Sequence, residues 1–282
     1  MSVTLRPMQE TDVAEGFALS QQMKWPHRRE DWLQAWRHGK GVVALDGESV
    51  IGTALCWSWG EELAMIGLVI VDERMQGRGI GKTLMSWALA QLEGYNIRLH
   101  ATEMGKGLYE KYGFVSTGTI HQHQNPSLPV LQAKAVPHGW QIRPAQEADL
   151  PVLVAMDHAA NGMTRPQLFA DLLASGRAEV LVDKEGAVQA VAVERAFGRG
   201  YAIGPVLGYA EENVRELVSH QLARLAGQFV RMDCDAALPF SAWLSECGLA
   251  VVDAPVLMVR GAPWQPASGG PVAVGLRTQA MG

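Results

Sequence analysis

The segment Leu5-Arg6-Pro7-Met8-Gln9-Glu10-Thr11-Asp12 returns 137 positions later as Ile142-Arg143-Pro144-Ala145-Gln146-Glu147-Ala148-Asp149. The same offset carries Gly39 to Gly176, Val43 to Val180, Asp46 to Asp183 and Ile66-Gly67 to Ile203-Gly204. A register held from residue 5 to residue 67 means that one structural plan is used twice. The 282 residues therefore divide near Val136-Pro137-His138-Gly139, where Pro and Gly interrupt any element. The expected units are 1–137, 140–262 and a Gly-, Pro- and Ala-rich tail, 263–282. That tail reads either as a loose end or as a final strand over 271–276.

Within the first copy the patterns predict a strand over 4–7, a helix opened by Asp12, and a Trp-bearing helix over 28–37. Strands over 41–46 and 50–59 follow, turned at Asp46-Gly47, then an apolar strand over 64–71. A helix over 79–93, a strand over 97–102, a short helix over 106–112 and a last strand from Phe114 complete the copy. This order predicts an α/β fold (α+β in its mixed, largely antiparallel sheet) covered by helices.

Composition narrows the function classes. No run reaches 18 apolar residues and the N-terminus lacks a signal-peptide core, so a cytoplasmic protein without a membrane partner is expected. Cys56, Cys234 and Cys247 form no CxxC pair, and His121 and His123 have no third ligand nearby, so no metal is expected. A net charge of −5 without a basic stripe argues against nucleic acid. Residues 140–282 carry 11 basic and 15 acidic side chains. That balance is compatible with a cationic substrate or with ordinary surface solvation.

The sharpest local signal is Val69-Ile70-Val71-Asp72-Glu73-Arg74-Met75-Gln76-Gly77-Arg78-Gly79-Ile80-Gly81-Lys82-Thr83. An apolar strand ends, three glycines alternate and a helix begins, which lets backbone N–H groups converge on a phosphate. Gly81-Lys82-Thr83 ends like a nucleotide-binding P-loop, but the first glycine of that pattern would have to replace Gln76. A dinucleotide GxGxxG fails at Leu84. The spacing that fits is Gln-x-x-Gly-x-Gly, with Gln76, Gly79 and Gly81.

There the chain resembles the GCN5-related N-acetyltransferases (GNAT), whose acetyl-CoA loop has this form. Gly107-Leu108-Tyr109-Glu110-Lys111-Tyr112-Gly113-Phe114 resembles a second mark of that family. The resemblance implies two tandem GNAT-like domains, acetyl-CoA as co-substrate, and a small-molecule or peptide amine as acceptor, in a monomer or homodimer. It implies that Val69, Ile70 and Val71 line the pantetheine arm, while Gln76, Gly77, Arg78, Gly79, Ile80, Gly81, Lys82 and Thr83 surround the pyrophosphate. It also places Tyr109 beside the thioester sulfur as general acid; the alternative for this residue is a packing tyrosine. A non-catalytic acyl-CoA-binding or sensing module is the other reading of the whole chain.

The general base is open. His100 titrates in the useful range, and Glu62, its neighbour Glu61, and Glu103 are the carboxylate alternatives. Trp25 and Trp57 are candidates for an aromatic acceptor wall, whereas Trp32 and Trp36 read as core. Carrying the offset of 137 through the loop puts Asn213, Val214, Glu216 and Val218 where Gln76, Gly77, Gly79 and Gly81 stand, and matching Gly248 to Gly113 turns Tyr109 into Leu244. The second copy is thus expected to be degenerate, serving as buttress and acceptor-cleft wall.

Overall fold

A computed structural model describes residues 3–282. The first copy runs β1 (Val3–Pro7), α1 (Val13–Gln22), α2 (Arg29–Arg37), β2 (Lys40–Asp46), β3 (Ser49–Trp59), β4 (Leu63–Val71), α3 (Ile80–Gln91), β5 (Asn96–Ala101), α4 (Glu103–Glu110) and β6 (Val115–Asn125). The second runs β7 (Gln141–Pro144), α5 (Leu150–Asn161), α6 (Pro166–Ser175), β8 (Arg177–Val182), β9 (Val188–Phe197), β10 (Gly200–Gly208), α7 (Glu211–Arg224), β11 (Val230–Asp235), α8 (Pro239–Glu246) and β12 (Ala250–Asp253). Two strands follow, β13 (Val256–Arg260) and β14 (Val272–Gly275). Among the described residues no helix is long and apolar enough to cross a membrane.

The repeat is physical as well as textual. Arg6 grips Asp12 through two hydrogen bonds of 2.6 and 2.8 Å, and Arg143 grips Asp149 at the same two distances. In both copies the carboxylate also accepts a backbone N–H at 2.7 Å, from Gln9 or Gln146. Each aspartate therefore caps the turn that starts its first helix while tying it to the first strand.

The two copies interlock. The sheet order is β1-β2-β3-β4-β5-β13-β6-β11-β10-β9-β8-β7, with β12 against β6 and β14 against β10. Thus β13, from the end of the second copy, inserts between β5 and the first part of β6. The second part of β6, Ile120 to Asn125, pairs with β11. Each half-sheet is completed by a strand from the other side of the expected boundary. The cores also merge: Trp32, Leu55 and Trp57 share a buried cluster with Met163, Leu168 and Val193.

His121 and His123 lie within β6, and both hydrogen-bond to Ser241 of α8 at 2.9 Å. His123 also meets the Leu249 carbonyl at 2.9 Å. They fasten α8 to the shared strand.

Candidate active site

Strands β4 and β5 pair in parallel only from Leu63 to Met65, opposite Asn96 to Arg98. Beyond that point they splay. A bulge drives the divergence: Gly67 opposes Leu55 and Ile70 opposes Thr53, so Leu68 and Val69 share one partner position. Leu68 takes a φ of 51°, and its carbonyl is held by the Thr53 hydroxyl at 2.9 Å. No strand pairs with β4 on the β5 side past Met65 among the described residues, so its backbone edge opens into a cleft of about 380 Å³.

The glycine loop closes one end of this cleft. Asp72 anchors it, accepting from Arg74 and held by that guanidinium down to a pKa of about 2. The Gln76 side chain donates to the Val71 carbonyl at 3.2 Å, bracing the turn on the end of β4. Gly77 and Gly79 have φ of 76° and 83°, and a Cβ on either would meet nothing within 4 Å. These positions need glycine for backbone conformation, and they leave open space in front of the chain.

Gly79 then caps α3 with no side-chain hydrogen bond. The first amides of a helix lack an i−4 carbonyl, so Ile80 and Gly81 present N–H groups and the positive end of the helix dipole to the cleft. This is the chemistry of a phosphate or pyrophosphate cradle, and the open space at Gly77 and Gly79 fits one.

Of the residues expected here, Val69, Ile70, Val71, Gln76, Gly77, Gly79, Ile80 and Gly81 line the cleft. Arg78, Lys82 and Thr83 face solvent outside that lining. The Thr83 hydroxyl turns back to the Gly79 carbonyl at 3.3 Å, and the Lys82 carbonyl accepts from Tyr112 at 2.8 Å. Tyr112 thereby pins α4 to α3.

Tyr109 and His100 also line the cleft. Burial pushes the Tyr109 phenol up to about 12, and its ring packs edge-on to Phe114 at 6.1 Å. Burial pulls His100 down to about 4. Its Nδ1 lies 2.5 Å from the Gln279 carbonyl, and because a carbonyl can only accept, Nδ1 carries the proton and Nε2 the lone pair.

Three expectations are corrected. Glu62 is exposed in the β3–β4 turn, at the end of β4 remote from the glycine loop, and lies outside the cleft lining. Glu61 and Glu103 are likewise solvent-facing. Trp57 is 1% exposed and donates to the Ala35 carbonyl at 2.8 Å. It belongs to the shared core, whereas Trp25 does line the cleft. Period-two alternation assigns Trp57 a face but cannot say that α2 covers that face.

The third correction concerns the second copy. Eight residues, 72–79, separate β4 from α3, but only Tyr209 and Ala210 separate β10 from α7. The offset of 137 therefore fails in the loop. Asn213, Val214, Glu216 and Val218 sit inside α7, with Val214 and Val218 fully buried. The loop that forms the cradle is shortened, and Glu211 and Glu212 occupy the first turn of the helix. Tyr109 does correspond to Leu244: Phe114 N–H bonds to Tyr109 as Leu249 N–H bonds to Leu244, and Leu244 is fully buried.

The second copy also splays, with β10 and β11 paired only at Tyr201 and Ala202. Its gap is filled from within. Strand β14 runs antiparallel to β10, and the Leu276 N–H bonds to the Asp233 carbonyl of β11 at 2.8 Å. The tail is thus a docked strand. It continues into the first copy's cleft, which Thr278, Gln279 and Ala280 help to line.

Residues 10–114 match the family model described as "Acetyltransferase (GNAT) family", and residues 153–270 match that described as "Acetyltransferase (GNAT) domain". The chain belongs to the GNAT acetyltransferases. It carries one GNAT domain in each half, the first with an intact loop and the second without. It is 28% identical over 227 residues to an uncharacterized N-acetyltransferase, YitH, of Bacillus subtilis (strain 168), covering 78% of each chain. A putative acetyltransferase from Pyrococcus horikoshii has the same fold, with a TM-score of 0.80 at 18% identity over 99% of this chain and 96% of that one. A tandem GNAT protein from the clavulanic acid biosynthesis pathway superposes with a TM-score of 0.68 at 14% identity, over 94% and 100% of the two chains.

Several cleft residues escaped the sequence reading: His27, Gln122, Phe197, Arg231, Gln279 and Ala280. Four of these lie outside residues 1–137. The repeat gave one clue, since Arg231 and Asp233 stand where Arg98 and His100 stand, a match the strand pairings reproduce.

Proposed function

We propose that the first GNAT domain transfers the acetyl group of acetyl-CoA to an amine. One observation carries this reading: the uncapped start of α3 opens onto the same cleft that holds Tyr109 and His100. Amides at 79–81 would hold the pyrophosphate, with Arg78 and Lys82 at the solvent side. The open edge of β4 at 69–71 would take the pantetheine arm, and one of its N–H groups would polarise the thioester oxygen. Acetyl-CoA supplies the activated acyl group as a thioester.

The phenol of Tyr109 stays protonated throughout the neutral range. A thiol ionises near about 8.5, so complete proton transfer from a phenol at about 12 would cost roughly 5 kcal/mol. Tyr109 therefore stabilises the departing sulfur as a hydrogen-bond donor and passes on a proton only as it regains one. His100 is neutral at pH 7 and aims a lone pair from Nε2. An imidazole at about 4 is too weak to strip an alkylammonium, so it orients an amine that arrives uncharged or gives its proton to water.

Thiol release from acetyl-CoA across a panel of amines tests the reading. Tyr109→Phe is expected to lower kcat about 100-fold while coenzyme A affinity, read by calorimetry, changes far less. Parent-like turnover in that variant would remove Tyr109 from the chemistry. A silent panel beside tight coenzyme A binding would leave a binding module instead.

A further inference from the structure

The second half's share of the cleft wall is Phe197, Arg231, Asp253, Thr278, Gln279 and Ala280. Arg231 is 7% exposed. Its Nε lies 3.0 Å from Asp233 Oδ1 and its Nη2 lies 2.7 Å from Oδ2, a side-on bidentate pair. That pair occupies one edge of the guanidinium. The other edge, Nη1 with the second proton of Nη2, has no hydrogen-bond partner among the described residues, and the plane lies 5.4 Å from the Phe197 ring centre. A buried carboxylate and an aromatic face thus hold an arginine rigid while leaving a planar donor fork open.

The surroundings make this wall positive. Arg195 packs on the same Phe197 ring at 4.8 Å, and its Nε is buried without a partner, as is Nε of Arg277. Arg28, Arg195, Arg231 and Arg277 face three carboxylates, Asp31, Asp171 and Asp233. His27 stays neutral down to about 4 because burial and Arg231 both oppose its protonation. Among the described residues, the only carboxylate lining the cleft, Asp253, is exposed, where solvent screens its field. The acidity of the second half as a whole does not describe this wall.

Resting on the acetyl-transfer reading above, we propose that the acceptor is a small molecule bearing both an amine and a carboxylate, and that the free fork of Arg231 binds the carboxylate. The amine then lies toward His100, whose counterpart in the repeat is the aspartate that holds Arg231. A cavity of about 380 Å³ that must also admit the thioester suits a small molecule.

Matched acceptors test this: an ω-amino acid and the alkylamine of equal chain length, compared by thiol release. The carboxylated member is expected to have the higher kcat/KM by about tenfold or more. In Arg231→Lys, which keeps a cation opposite Asp233, its KM should rise about tenfold to hundredfold while the alkylamine's KM does not. Melting temperature and coenzyme A affinity report whether that variant is folded. Equal use of both acceptors by the parent, or an unchanged preference in Arg231→Lys, overturns the carboxylate assignment while acetyl transfer stands. If neither acceptor is acetylated, the acetyl-transfer reading fails. Tryptophan fluorescence of the coenzyme A-loaded protein then compares binding of the same pair, and absence of a carboxylate preference overturns this inference too.

Discussion

Two splayed strand pairs, one in each half, do opposite things with the same opening. Between β4 and β5 the gap is left open, and a glycine loop of eight residues puts a helix start at its end. Between β10 and β11 the loop is two residues long and the chain's own β14 fills the gap. A splay exposes unpaired backbone edges, and those groups need partners. In one domain the edge is left open, where the proposed coenzyme A would supply the partner; in the other the partner is supplied covalently. A strand split therefore becomes a ligand site only when nothing in the chain completes it.

This contrast can be broken in order of effect. Gly79→Glu forces a side chain into left-handed backbone at φ 83° and sets a carboxylate at the anion cradle. Coenzyme A affinity by calorimetry is expected to fall about 100-fold or more. Ala210→Glu, at the start of α7, should leave it unchanged; a loss there would put the cofactor in the wrong half. Val274 is 5% exposed inside β14. Val274→Ala should lower unfolding free energy by about 2 kcal/mol in denaturant titration, with coenzyme A affinity retained. A parallel loss of affinity would mean that the filled gap and the open one are not separate.

Acid probes the open cleft through its buried histidines. His27 and His100 line the open cleft, and both titrate near 6.5 when unfolded but near about 4 when folded. Between those values the unfolded chain binds more protons. Stability is thus fully present above pH 6.5 and falls as pH drops toward 4, by up to about 1.4 kcal/mol per pH unit for each histidine. Melting temperatures from pH 7 to 5 should show the decline, and His100→Gln should flatten it by about half. An unaltered slope would show that His100 is not the buried neutral group described.

The helices and strands of the first half were legible to within a few residues, because periodicity and capping act locally. The Arg6–Asp12 and Arg143–Asp149 pairs were visible as a repeated string, and the glycine loop as a spacing. Glu62 and Trp57 misled for the same reason: a residue's distance along a strand says nothing about which end faces the cleft or what packs above it. The second half's loop misled through arithmetic, since a fixed offset does not register a deletion: Met65 and Ala202 lie 137 apart, but Arg98 and Arg231, their strand partners, lie 133 apart.

By itself the sequence determined that one fold is used twice and that only the first copy keeps the glycine-rich turn from strand to helix. These are properties of short segments, set by backbone freedom and hydrophobic period. Only the tertiary structure decided that β6 and β13 cross between the halves, that β14 closes the second gap, and that Arg231 and Gln279 reach the first domain's cleft. Such pairings join residues far apart in the sequence, and it is shared core and strand edges, not local propensity, that bring them together.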